Sequence, residues 1–181
     1  MDEQADIGLI AACQQGDPGA FRQVFELYRD RVYGLCRHMA GNPQDAEDLS
    51  QESFVQAFGR IQAFRGESAF GTWLFRIAAN CCLSALRKRR AAFLSLDEAM
   101  PVSSGPTPED QLIRKELVRR VEAAVASLPE SQRLLFVLGT QLDMPYRQIA
   151  QIAGCSEDAV KVRLHRARKQ VRDALKNYME T

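Results

Sequence analysis

PYRQIAQIAGCSEDAVKVRLHRARKQVRDAL, residues 145–175, decides how the chain is read. Tyr146, Ile149, Ala150 and Ile152 give a short first helix one apolar side. Gly154 follows as a turn residue that tolerates positive φ. Ser156 then caps a longer helix, with Glu157 and Asp158 placed favourably in its first turn. Helix, glycine-containing turn and longer helix is the helix-turn-helix arrangement. The longer helix divides by face. Val160, Leu164, Ala167, Val171 and Leu175 recur at spacings of three and four and form a packing side. The opposite side presents Lys161, Val162, His165, Arg168 and Lys169, flanked by Arg163 and Arg166. A helix that enters a major groove needs this division. Lys161, Val162 and His165 are placed for base edges, and Arg163, Arg166 and Arg168 for phosphates or a guanine.

The same helical periodicity extends upstream, with no alternating strand pattern. It predicts helices at 6–15, 18–39, 43–62, 68–90, 108–127, 129–141, 145–153 and 156–178. Asp17-Pro18, Asn42-Pro43 and Thr107-Pro108 each set a capping side chain before a proline at the first helical position. Between the fourth and fifth helices lies AAFLSLDEAMPVSSGPTPED, rich in Ser, Pro and acid, which reads as a flexible linker. The expected fold is therefore all-α: two small helical domains joined by a flexible acidic linker, the second with the helix-turn-helix. The expected boundaries are 1–90, 91–113 and 114–181, and about 20 flexible residues would leave the domain spacing unfixed in the free protein.

Charge follows this division. The net charge of +1 hides a basic block at Arg87–Arg90 and a second in the last helix, separated by a segment with Asp97, Glu98, Glu109 and Asp110 and no cation. Two basic patches suggest two contacts with a polyanion. The apolar share of 46% and the lack of any run of about eighteen apolar residues describe a soluble, cytoplasmic chain. The five cysteines form no CxxC pair and the two histidines are scattered, so no metal site is expected. They read as small buried hydrophobes, with Cys155, in a turn, the best placed for redox sensitivity. No Gly-rich phosphate loop and no nucleophile-and-base motif is present, so neither enzyme chemistry nor a cofactor is expected.

In the N-terminal half, PQDAEDLSQESFVQAFGRIQ (43–62) buries Ala46, Leu49, Ser50, Ser53, Phe54, Ala57, Phe58 and Ile61, and turns Asp45, Asp48, Gln51 and Glu52 outward. Next, FRGESAFGTWLFRIAANCCLSALRKRR (64–90) opens with a loop of Arg65, Gly66 and Glu67, and Ser68 is positioned to cap a helix. Leu74, Ile77, Ala78, Cys81 and Ala85 point inward, while Thr72, Arg76, Asn80, Ser84 and Arg87 form an outward row. Phe64, Phe70 and Trp73 cluster at the loop end. Aromatics beside cations are the groups that hold unstacked single-stranded DNA, although aromatics at this spacing also serve as core.

DAEDLSQESFVQAF, FRGESAFGTWLFRIAAN with its basic tail, the acidic linker, LPESQRLLFVL, and the helix-turn-helix segment together resemble the extracytoplasmic-function sigma factors, in order and spacing, over nearly the whole chain. The resemblance implies that Asp45, Asp48, Gln51 and Glu52 dock on the clamp helices of the largest subunit of core RNA polymerase. It implies that Arg65, Glu67, Ser68, Phe70, Thr72, Trp73, Arg76, Asn80, Arg87 and Lys88 melt and read the minus-10 promoter element, with a base extruded beside the loop and Trp73 mainly structural. It implies that Ser156, Lys161, Val162, Arg163, His165, Arg166, Arg168 and Lys169 read the minus-35 element. The linker would thread the polymerase channels, and an anti-sigma factor, in many relatives membrane-anchored, would hide the polymerase surfaces. Duplex and single-stranded promoter DNA replace any small-molecule substrate. Two rival readings are a conventional helix-turn-helix regulator and a sigma-like adaptor that does not dock on polymerase.

Overall fold

A computed structural model describes residues 3–94 and 109–179. Eight α-helices account for nearly all of them: α1 (Glu3–Gln14), α2 (Pro18–Ala40), α3 (Pro43–Gly59), α4 (Phe70–Leu94), α5 (Glu109–Ala126), α6 (Glu130–Phe136), α7 (Tyr146–Ala153) and α8 (Glu157–Met179). A 3-10 turn, Ile61–Ala63, follows α3, and a π-helical turn, Val137–Gln141, continues α6. The chain is all-α, as its periodicity predicts. Residues 95–108, the middle of the expected linker, and the Thr107-Pro108 cap lie outside the described residues. α4 runs further than expected, to Leu94, while α5 begins at Glu109, within one residue of its predicted start.

Two of the expected caps are formed. Asp17 accepts from the backbone N–H of Gly19 and Ala20, and Asn42 accepts from that of Asp45 at 2.8 Å, each before a proline at N1. Gly41 closes α2 with φ near 83°, a left-handed conformation that costs glycine little. α2, α3 and α4 then pack around Val24, Val32, Leu35, Met39, Ala46, Phe54, Leu74 and Ala78. Every residue of the predicted α3 stripe is buried except Phe58, which is half-buried. In the second half, Val160, Leu164, Ala167 and Val171 of α8 are buried, three of them against Ala124, Val125, Leu128 and Phe136.

Expected independence of the two halves is where the structure departs from the sequence reading. Leu134, Leu135, Val137, Leu138, Met144, Ile149, Ala150 and Ile152 belong to the same apolar cluster as the N-terminal core. α7 lies against α4, and α6 against both α2 and α4. The reason is legible in α4, which is apolar on more than one side. Besides the predicted inward stripe, Phe75, Ala79 and Cys82 are fully or almost fully buried. A helix with apolar residues on two faces needs cover on both. The expectation of an unfixed spacing thus gives way to a packed one.

Candidate nucleic-acid and docking surfaces

The acidic face of α3 forms because its buried stripe leaves one side free. Asp45, Asp48, Gln51 and Glu52 are all exposed. Asp45 is already engaged: it accepts from Asn42 Nδ2 at 2.7 Å and pairs with Arg89 of α4 at 3.4 Å. Glu52 accepts from Gln56 Nε2 at 2.9 Å. Val55, 71% exposed, shares this face one turn beyond Glu52 and two beyond Asp48. Phe25 of α2, also exposed, packs edge-on against Phe54 with centroids 4.8 Å apart. The sequence reading missed these apolar members. Their signal was there, since Val55 falls outside the buried stripe.

The loop before α4 is held from below by α1. Gln14 Nε2 donates to the carbonyls of Ile61 and Phe64, both at 3.0 Å, and Gln62 donates back to the Gln14 carbonyl. Gly66 takes φ near 73° and turns the chain. Arg65 and Glu67 project into solvent. Ser68 does not cap α4 as expected; its hydroxyl donates to the Ala69 carbonyl at 3.4 Å. Phe64, Phe70 and Trp73 form a three-ring cluster with centroids 5.4–5.5 Å apart, and Tyr28 closes it from α2. Phe70 is only 3% exposed, so it is a core residue and not an open platform. Phe64 and Trp73 keep part of their surface.

The predicted outward row on α4 splits. Asn80, Arg87 and Lys88 face solvent, while Ser84 is half-buried. Thr72, expected in that row, is buried at the floor of a cleft shared by α1, the 64–69 loop and α7. Arg76 remains exposed but donates through Nε to the Gln151 carbonyl of α7 at 3.0 Å. A cleft of about 670 Å³ runs between α1, the 64–69 loop and α7, with Arg147, Gln148 and Gln151 along its far wall.

The helix-turn-helix leaves open the side of α8 that its residue spacing predicts for DNA reading. Gly154 takes φ 64° and ψ 40° after α7, and its N–H caps the Ala150 carbonyl. Ser156 Oγ accepts from the Ala159 N–H at 3.2 Å, so this side chain serves as the helix cap. Lys161, Val162, Arg163, His165, Arg166 and Lys169 are exposed on one side of α8. Lys161 pairs with Asp158 at 3.0 Å, which raises its pKa. Arg168 is turned away from this set. Its Nη2 donates to the Gly139 carbonyl at 3.0 Å and its Nε to Thr140 Oγ1 at 3.3 Å. Gly139 lies in the π-helical turn, and a Cβ there would come within 2.7 Å of Leu164 and 3.2 Å of Ile149. The sequence reading grouped Arg168 with the groove-facing cations because helical spacing cannot reveal a carbonyl on another helix.

Four cysteines are buried and Cys155 is half-buried. Cys36 and Cys82 touch across the α2–α4 contact, Sγ to Sγ 3.8 Å, and that contact together with burial holds the Cys82 thiol far above its ordinary pKa. These thiols are packing groups. Among the described residues no cluster of His, Cys, Asp and Glu suits a metal ion, and no helix is long and apolar enough to cross a membrane.

Residues 24–92 match the family described as sigma-70 region 2, and residues 119–171 match sigma-70 region 4. The chain is 31% identical over 179 residues to the ECF RNA polymerase sigma factor SigW of Bacillus subtilis, covering 93% of this chain and 95% of that one. Among solved structures it resembles CnrH in complex with the cytosolic domain of CnrY, with TM-score 0.75 and 28% identity over 96% and 98% of the two chains. It also resembles the sigma factor RpoE in complex with the anti-sigma factor NepR from Bartonella quintana, with TM-score 0.71 and 25% identity over 86% and 96%.

Proposed function

This chain belongs to the extracytoplasmic-function RNA polymerase sigma factors, and from that premise we propose that it binds core RNA polymerase and directs initiation at a subset of promoters in the cytoplasm. Its work is binding and needs no enzymatic step. One observation carries the reading: a single chain holds an acidic, partly apolar face on α3 and two separate cationic surfaces, on α4 and α8.

Asp48, Gln51 and Glu52, with Val55 beside them, form the polymerase-docking surface, and Asp45, bonded to the Asn42 cap of α3, adds its charge to the same face. Arg65, Glu67, Trp73, Arg76, Asn80, Arg87 and Lys88 line the path for the opened minus-10 strand. A strand there is held by phosphate attraction and by partial stacking on Phe64 and Trp73. Extruding one base costs a few kcal/mol, which contacts beside the 64–69 loop must offset. Phe70 and Thr72 support that surface from within and do not touch the strand in the packed arrangement. Lys161, Val162, Arg163, His165, Arg166 and Lys169 read the minus-35 duplex, Ser156 sets the start of the reading helix, and Arg168 fixes its orientation.

Residues 1–90 and 114–181 serve as the region 2 and region 4 domains, with residues 91–113 as the connector. Each surface alone binds DNA weakly, and docking both on one polymerase raises their effective concentration on a promoter. An anti-sigma partner, as in the NepR complex, controls access to core.

The test is promoter-dependent transcription with purified core polymerase and fragments of the source genome. Specific start sites should appear, and reversing charge at Asp48 and Glu52 should abolish them together with core binding. Sequence-specific duplex binding without core binding would instead identify a conventional regulator.

A further inference from the structure

We propose that Asp158 and Lys161 of α8 act as one unit that reads a single G·C base pair in the minus-35 duplex, and that Val162 beside them reads a thymine methyl one or two steps away. The inference deepens the sigma-factor reading above and rests on it.

Asp158 stands where a DNA-binding helix has little reason to hold an acid. Val160, Leu164, Ala167 and Val171 are buried, so the opposite side of α8 carries Asp158, Val162, His165 and Lys169, at spacings of four, three and four. Asp158 therefore lies in the middle of the reading side and not on its flank. A carboxylate set among DNA phosphates opposes binding through like charge. The start of the helix does not require it there. Ser156 already caps α8, and Glu157 supplies a first-turn acid that lines the cleft with Arg76, Arg147 and Gln151. What Asp158 does hold is Lys161: its Oδ1 accepts from Lys161 Nζ at 3.0 Å, while its side chain stays 90% exposed. As a unit the pair is close to neutral, and it presents a donor and an acceptor side by side.

That combination matches one base-pair edge. In the major groove a G·C pair presents two acceptors, guanine N7 and O6, followed by the cytosine N4 donor; an A·T pair presents acceptor, donor and acceptor. Lys161 has three N–H donors and Asp158 takes one, so two remain for N7 and O6. The Asp158 carboxylate keeps free lone pairs for the N4 amino group. Guanine O6 and cytosine N4 are joined by a Watson–Crick hydrogen bond, about 2.9 Å long. The 3.0 Å between Asp158 and Lys161 sets their polar atoms at the spacing of that edge. An A·T pair would instead place an amino group where Lys161 needs its second acceptor. Val162, 50% exposed, lies one turn beyond Asp158 on the same side. One turn advances about 5.4 Å, or one to two base-pair steps of about 3.4 Å. The thymine methyl is the apolar group of that groove, and an aliphatic side chain set among polar ones is suited to cover it.

The test is selection from randomised duplexes by the full chain, alone and bound to core polymerase. The wild type should recover a motif with a fixed G·C pair and, one or two steps away, a fixed A·T pair. Asp158→Asn keeps the side chain's size but adds an amide donor, a group that suits adenine. It should lower the preference for G·C at that one base pair about 5- to 150-fold and leave the other positions unchanged. Lys161→Ala should relax the same base pair. On the recovered duplex, thymine replaced by uracil loses only its methyl. That change should weaken the wild type about fourfold, one methyl group's worth, and leave Val162→Ala unaffected. Thermal midpoints of the three variants should match the wild type. An unchanged motif in Asp158→Asn, with affinity raised uniformly, would mean that the carboxylate acts by charge alone and would overturn the base-pair reading. Relaxation of two different base pairs by Asp158→Asn and Lys161→Ala would break the unit apart. Equal uracil sensitivity in the wild type and Val162→Ala would remove the methyl contact. The expected motif from the chain alone, with no binding to core, would count against the sigma reading and leave the base readout standing. No motif in either arm would overturn both.

Discussion

α4 and α8 are both long, cationic helices, each proposed to carry a DNA-reading surface, yet they are built differently. α8 has one buried side, and its reading side is open from Lys161 to Lys169. α4 is buried on two sides, so its proposed reading residues share the helix with packing residues: Thr72 is buried, Arg76 bonds to α7, and Asn80, Arg87 and Lys88 face solvent. A one-sided helix can meet duplex DNA without rearrangement. A two-sided helix keeps part of its surface under its second packing partner.

The largest effect that tests this contrast is Phe70→Ala. Phe70 sits at the centre of a ring cluster with Tyr28, Phe64 and Trp73, so truncation should cost about 3–5 kcal/mol of stability, read as a lowered denaturant midpoint. A normal midpoint with lost single-strand binding would return Phe70 to the DNA surface. Next in size, Arg163→Ala and Arg166→Ala should each weaken duplex binding across sequences and lower its salt slope by about one phosphate's worth. Arg76→Ala should leave duplex binding by the free chain unchanged. Equal losses from all three would erase the distinction between the helices.

The smallest effect is one of pH. His38, half-buried on α2, has its pKa lowered by burial and by neighbouring Arg37, against an opposing pull from Glu122. The unfolded chain, with a histidine pKa near 6.5, therefore binds the proton more readily than the folded one. Stability from this group is complete above that value and declines as pH falls below it. Melting curves at about pH 7.5 and pH 5.5 should show a shallower acid loss for His38→Gln than for the wild type. Glu122→Ala should steepen that loss.

Much of this was readable without coordinates. The caps at Asp17 and Asn42, the α3 stripe and the packing side of α8 follow from rules that act within one or two helical turns. The sorting of α8 into core and surface therefore came from spacing alone, as did the open acidic face of α3. The errors fall where a distant partner decides. Thr72 was assigned to the surface because α7 is some 75 residues away in sequence, as the Arg76–Gln151 contact records. Arg168 was grouped with the reading cations because the Gly139 carbonyl becomes its partner only once α6 continues into a π turn beside α8.

The sequence by itself determined an all-α chain, a helix-turn-helix, two cationic surfaces and an acidic one, since periodicity, caps and charge order are local properties. Tertiary structure alone decided which faces remain available. That choice depends on long-range packing: apolar residues on both sides of α4 need cover, and a sequence pattern states that need without naming the helix that meets it.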